Sequence, residues 1–169
     1  MTKSKVVGLL FEAWKETDRV LADLDPAIAE KSMNGGSSPA WTLAHLANHV
    51  DTWINVRFQE RTPHPLIGGT RFRFGGSGIA EDWPAIQVAA LSVRDVARKF
   101  LGNLTEEDLD LVLPYDGSFE RLHNTGLGLR YALLRTAAHH YFHIGEIASK
   151  RDALGHDIGD YPGLLEECL

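Results

Sequence analysis

The chain has 169 residues, 44% apolar and 24% charged, which excludes wholesale disorder and suits one soluble domain spanning 1–169. Seventeen basic against twenty-three acidic residues give a net charge of −6, so nucleic acid is not an expected partner. No apolar run approaches the ~18 residues of a membrane span, MTKSKVVGLLFEAW turns charged too soon for a secretory leader, and a lone cysteine, Cys168, fits a reducing cytoplasm.

A first helix is predicted from about Ser4 to Leu24, where Leu10, Trp14, Leu21 and Leu24 recur at three- and four-residue steps around Thr17. Asp25-Pro26 breaks or restarts it, because proline cannot donate to the helical ladder. After the Gly35-Gly36 loop, Ser38-Pro39 signals a start: serine caps free amides and proline suits the first helical position. The second helix runs from Pro39 to about Glu60, with Leu43, Leu46, Ala47, Val50, Trp53, Ile54 and Phe58 as its apolar stripe. From Arg61 to Ala80, prolines and glycine pairs dissolve the periodicity into a long connection, of a kind that is usually functional or mobile. A third helix follows from near Asp82 to Leu101, its buried side including Ile86, Val93, Val96, Ala97, Phe100 and Leu101. Alternating Leu109, Leu111 and Leu113, followed by the Asp116-Gly117 turn, predict a small hairpin before the last helix. That helix is predicted from about Leu127 to Leu154, with Gly155 as its stop. Tyr131, Leu134, Ala138, Tyr141, Gly145 and Ala148 form its main stripe, while Leu129, Leu133, Ile147 and Leu154 make a second apolar side. The predicted class is all-α, a four-helix bundle with one long crossover.

Histidine is the unusual component, with eight residues of which five fall in two clusters. His45 and His49 lie on the second helix; His139, His140 and His143 lie on the last. Four-residue spacing puts His139 and His143 one turn apart on one face, where two imidazoles can meet one ion. A third imidazole from a neighbouring helix would complete a set that leaves one coordination position open. An ion so held lowers the pKa of bound water to ~7 and equally binds a thiolate. The metalloprotease His-Glu-x-x-His pattern is absent, since His140 follows His139. A di-iron bundle needs two helical Glu-x-x-His motifs, and the chain has one, Glu120 to His123, in the hairpin region. Solvation or ordinary hydrogen bonding is the alternative for these histidines. His64, His123 and His156 are expected in surface loops, and His140 is expected to face away from His139 in a packing or supporting role.

Arg57, Arg61, Arg71 and Arg73 concentrate positive charge around the long connection, where a carboxylate-bearing substrate or thiol could dock. Trp41 and Trp53 either wall a cleft or fill the core. Asn48 and Glu146 are candidate partners for a ligand's second ring nitrogen or for bound water. Tyr141 is expected to be buried, and Cys168 has no expected chemical role.

Ser38-Pro39-Ala40-Trp41-Thr42-Leu43-Ala44-His45-Leu46 resembles the second-helix signature of the DinB/YfiT-like metalloenzymes. Ala138-His139-His140-Tyr141-Phe142-His143-Ile144-Gly145-Glu146-Ile147 resembles their last-helix signature, a His-x-x-x-His followed by x-Gly-Gln-Ile or a near variant. Leu154-Gly155 and Asp160-Tyr161-Pro162-Gly163 are similar to the group as well. Glu146 stands where glutamine is commoner and Ile144 where arginine is frequent; neither is a ligand position. The resemblance covers essentially the whole chain and implies an up-up-down-down bundle with a divalent metal on His45, His139 and His143, and His49 one turn beyond. Zinc is the expected ion, with nickel as the alternative. The resemblance further implies a homodimer and a small-molecule substrate, with a low-molecular-weight thiol such as bacillithiol or mycothiol. The expected function is then a thiol-dependent transferase or isomerase, or a hydrolase; the alternative is a non-catalytic metal-binding or stress-related helical module.

Overall fold

Ser4 opens the first helix in the computed structural model, which describes residues 4–32 and 35–169. Its hydroxyl accepts from the Val6 amide at 3.2 Å, and α1 runs Lys5–Leu21. Asp25 and Pro26 then start a single turn, Pro26–Ala29. Ser38 caps α2, Pro39–Val50, by accepting from the Trp41 amide at 3.2 Å, with Pro39 in the first helical position. The chain continues as a π-helical stretch, Asp51–Val56, and one last α-turn, Arg57–Gln59, before Glu60 ends it at φ 53°. That wider turn shifts the register between His49 and Arg57, and hydrophobic spacing gave no sign of it. Asp82 caps α3, Trp83–Leu101, and α4 runs Leu129–Ala153 until Gly155 turns the chain at φ 76°.

The architecture is mostly helical. α1 packs along α4 and α2 along α3, with a further contact between α2 and α4. The shared core includes Trp14, Leu10, Leu46, Ile54, Ile86, Leu101 and Leu133, all sealed from solvent. Cross-ties lock the pairs: Arg151 donates to the Val20 and Ala22 carbonyls at the end of α1 (3.0 and 2.7 Å), and Lys150 donates to the Ser37 carbonyl ahead of α2. Gly8 of α1 admits the C-terminal segment, since a Cβ there would lie 2.2 Å from the Glu167 carbonyl oxygen. No helix among the described residues is long and apolar enough to cross a membrane.

Several expectations are corrected. The hairpin does not turn at Asp116-Gly117: β1, Val112–Leu113, pairs antiparallel with β2, Leu127–Gly128, and a short helix, Glu120–Thr125, fills the segment between them. His123 therefore sits on a helix, and α4 starts two residues later than expected. The faces of α4 are also exchanged. Leu129, Ala132, Leu133, Thr136, Ala137, His140, Ile144 and Ile147 form the buried side, while Tyr131, Leu134 and Phe142 are 45%, 44% and 72% exposed. Tyr141 and Ala148, also of the expected stripe, are only half-buried against the edge of the core. Finally, α3 buries Arg94, which donates to Asp18 at 2.5 Å, whereas Val96 and Phe100 are half-buried.

Candidate metal centre

One polar edge of α2 positions the site. Ser38, Trp41, His45, Asn48 and Asp51 recur at three- and four-residue steps, and each bonds the connection that follows the helix. Ser38 accepts from Ala80 N, and Trp41 Nε1 donates to the Arg71 carbonyl at 3.2 Å. His45 Nδ1 donates to the Phe72 carbonyl at 2.6 Å. Asn48 donates to the Ile67 and Gly69 carbonyls (2.6 and 3.2 Å), and Asp51 accepts from His64 N at 2.8 Å. Ile67 and the short 3-10 turn Thr70–Phe72, whose Phe72 ring is buried, anchor the connection in the core. Residues 61–80 are thus an ordered strap over α2, and Asn48 fastens this strap instead of partnering an imidazole.

His45 from α2 meets His139 and His143 from α4. His139 Nε2 lies 3.2 Å from His45 Nε2 and 3.2 Å from His143 Nε2. The rings stand nearly perpendicular, with centroids 4.7 to 5.1 Å apart. Because the Nδ1 atom of His45 faces a carbonyl and that of His143 faces the Glu146 carboxylate at 2.9 Å, both carry their protons there and leave Nε2 lone pairs inward. A single proton on His139 Nε2 could serve one of these neighbours; a cation between them would serve all three. Ligand nitrogens ~2.0–2.1 Å from a tetrahedral ion stand ~3.3 Å apart, which is close to the distance of His139 from each neighbour, and all three donor atoms lie within 4.8 Å of one another. These three histidines are positioned to bind a metal ion. Trp41 stacks on His45 at 4.8 Å and 12°, holding that ring in place.

His49 belongs to the surroundings of the centre. Arg135 donates to its Nε2 at 2.5 Å, so its proton resides on Nδ1 and goes to Thr136 Oγ1 at 3.1 Å, which in turn donates to the Ala132 carbonyl. Its ring stacks on Trp53 (5.1 Å, 9°) and touches His139 at 4.6 Å. His140 is sealed in the core with Nδ1 donating to the Thr136 carbonyl.

An open cleft of about 720 Å³ adjoins the centre, lined by His45, His49 and His139 together with Trp53, Arg57, Arg73, Phe74, Tyr115, Phe119 and Arg135. Arg73 thus lines it; Arg71 does not, and rests against Phe72. Arg135, Tyr115 and Phe119 were not singled out from the sequence. Arg135 lies four residues before His139, a spacing that would have flagged it.

Burial holds His139 down to about 3, helped by repulsion from His143 and His45. Burial also lowers His45, and drives His49 and His140 well below the ordinary value of 6.5. The unfolded chain therefore binds more protons than the fold below pH 6.5. This stability is complete above that pH and is lost as pH falls toward the folded values. Metal-free protein at pH 5 is expected to melt lower than at pH 7.5, by on the order of 5 °C, in a calorimetric scan; equal melting temperatures would contradict the assignment.

The hydrogen bond from His143, followed by Lys150 at 2.6 Å, holds the Glu146 carboxylate down to about 2. Ionised at any working pH, Glu146 fixes the His143 tautomer. Glu146→Ala is expected to weaken zinc binding about 10–100-fold in competition with a chromophoric chelator, and Glu146→Gln, which keeps an acceptor, to weaken it less.

No curated protein and no solved structure matches the chain. The model of the DinB superfamily matches residues 9–147, a span that includes the capped start of α2 and all three converging histidines. With that match over most of its length, the chain belongs to the DinB superfamily.

Proposed function

We propose that the protein is a divalent-metal-dependent enzyme. His45, His139 and His143 hold the ion, zinc by preference and nickel as the alternative, and a thiol or water is activated for transfer, isomerisation or hydrolysis. The observation that carries this reading is the convergence of three Nε2 atoms beside an open cleft. A bound ion supplies Lewis acidity: with three nitrogen ligands it keeps a position open, brings a bound water to a pKa of ~7, and stabilises a thiolate. The chain's own contribution is orientation and charge. The Phe72 carbonyl and Glu146 aim two rings, Trp41 stacking steadies His45, and three arginines but no aspartate or glutamate line the cleft. The reading includes the up-up-down-down helix order, a cytoplasmic setting and pairing of two copies. The exposed row of Tyr131, Leu134 and Phe142 on α4 supports the pairing.

Protein purified without a histidine tag is assayed for bound metal, then screened with glutathione, bacillithiol, mycothiol and water against small electrophiles and esters. Stoichiometric zinc or nickel together with turnover supports the proposal. Metal without turnover overturns the enzyme and leaves a metal-binding module; protein that takes up no metal overturns both.

A further inference from the structure

We infer that the cleft beside the three histidines is a carboxylate-binding subsite in which Arg135 fixes a small anionic ligand with a flat apolar body. The inference rests on the metal-enzyme reading for its purpose, and its test is independent of that reading.

The chain as a whole is acidic, at −6, yet the residues lining the cleft include Arg57, Arg73 and Arg135 and no aspartate or glutamate. Arg57 faces Asp116 at 3.7 Å, but that carboxylate is almost fully exposed, and such a rim pair competes weakly with a ligand. Arg135 is the singular group. It is half-buried, its guanidinium sits 4.7 Å from both the Trp53 and Phe119 rings, and those rings form an edge-to-face corner 5.8 Å apart. One of its nitrogens donates to His49. No carboxylate pairs with it among the described residues. The two rings shield part of the guanidinium from water and the bond to His49 sets its orientation, so its remaining N–H groups form a fork suited to a planar anion. Trp53, Phe74, Tyr115 and Phe119 line the same cleft and suit an apolar body attached to that anion. Arg135 precedes His139 by one turn of α4, which places the bound carboxylate next to the metal centre.

The test titrates metal-free protein with benzoate and with benzamide, its neutral counterpart, by isothermal calorimetry. Benzoate is expected to bind at least tenfold tighter than benzamide and to weaken with added salt. Arg135→Met is expected to remove at least tenfold of that affinity, and Arg73→Met, at an exposed rim position, a few-fold. Arg135→Lys, which keeps the charge and loses the fork, decides the matter if Arg135→Met does not fold. His143→Ala, which removes a proposed zinc ligand, is expected to leave benzoate affinity unchanged, so failure of the metal centre and failure of the subsite are read separately. Benzoate binding no better than benzamide, or equally well in all three arginine variants, overturns the inference. Inorganic phosphate binding tenfold tighter than benzoate overturns the carboxylate assignment.

Discussion

Replacing His139 with alanine is expected to abolish stoichiometric zinc uptake, whereas His49→Ala leaves it within a few-fold of the parent protein. The two residues look alike in the sequence, and their rings touch at 4.6 Å. They differ in where their nitrogens point. His139 Nε2 is the middle member of the three, at 3.2 Å from each neighbour, so its loss leaves two donors from different helices. Zinc bound at an apparent ~10 kcal/mol loses about 3 kcal/mol with one of three donors, on the order of a hundredfold in affinity. At free zinc one hundred times the parent dissociation constant, the parent gains about 2.7 kcal/mol of stability and the variant about 0.4. Calorimetric scans with and without zinc therefore show a clear upward shift for the parent and almost none for His139→Ala. Both His49 nitrogens are committed, one accepting from Arg135 and one donating to Thr136, so its removal disturbs packing against Trp53 and not the ligand set. Equal zinc stabilisation of His139→Ala and the parent would sink the three-histidine centre.

What the sequence could reveal follows from which interactions carry a residue's name. Caps do: Ser38-Pro39 and Gly155 mark the start of α2 and the end of α4 because their side chains, or the lack of one, set the backbone there. Histidine spacing does as well, since four residues make one turn whatever lies outside the helix. The Phe72 carbonyl that aims His45 does not, because every residue offers the same oxygen and only the course of the strap decides which one arrives. The π-helical stretch Asp51–Val56 is invisible for a related reason: its backbone bonds change while the apolar spacing around Trp53 and Ile54 stays within helical tolerance. Asp116-Gly117 looked like a hairpin turn, but long-range pairing of Val112 with Gly128 overrode that local preference.

The faces of α4 give the second large effect. Leu133→Ala is expected to cost 2–5 kcal/mol, and Leu134→Ala less than about 1 kcal/mol. The residues are chemically identical neighbours, so propensity and the unfolded chain contribute almost equally to both substitutions. Successive residues on a helix diverge by about 100°, and here the step carries the side chain from a sealed position, 0% exposed, to one that is 44% exposed. Leu133→Ala leaves a cavity among Leu129, Ala137 and the other apolar residues of the core. Leu134→Ala removes a side chain that water already covers in large part. For a chain of this size the first variant melts about 5–15 °C below the parent and the second within about 3 °C, as read by circular dichroism. The same rotation that buries Leu133 aims His139 and His143 toward His45 and turns Phe142 outward. A larger loss at Leu134 than at Leu133 would place α4 about 100° from its described orientation and carry both histidines away from α2. The stability of two adjacent leucines therefore tests the metal centre without any metal being added.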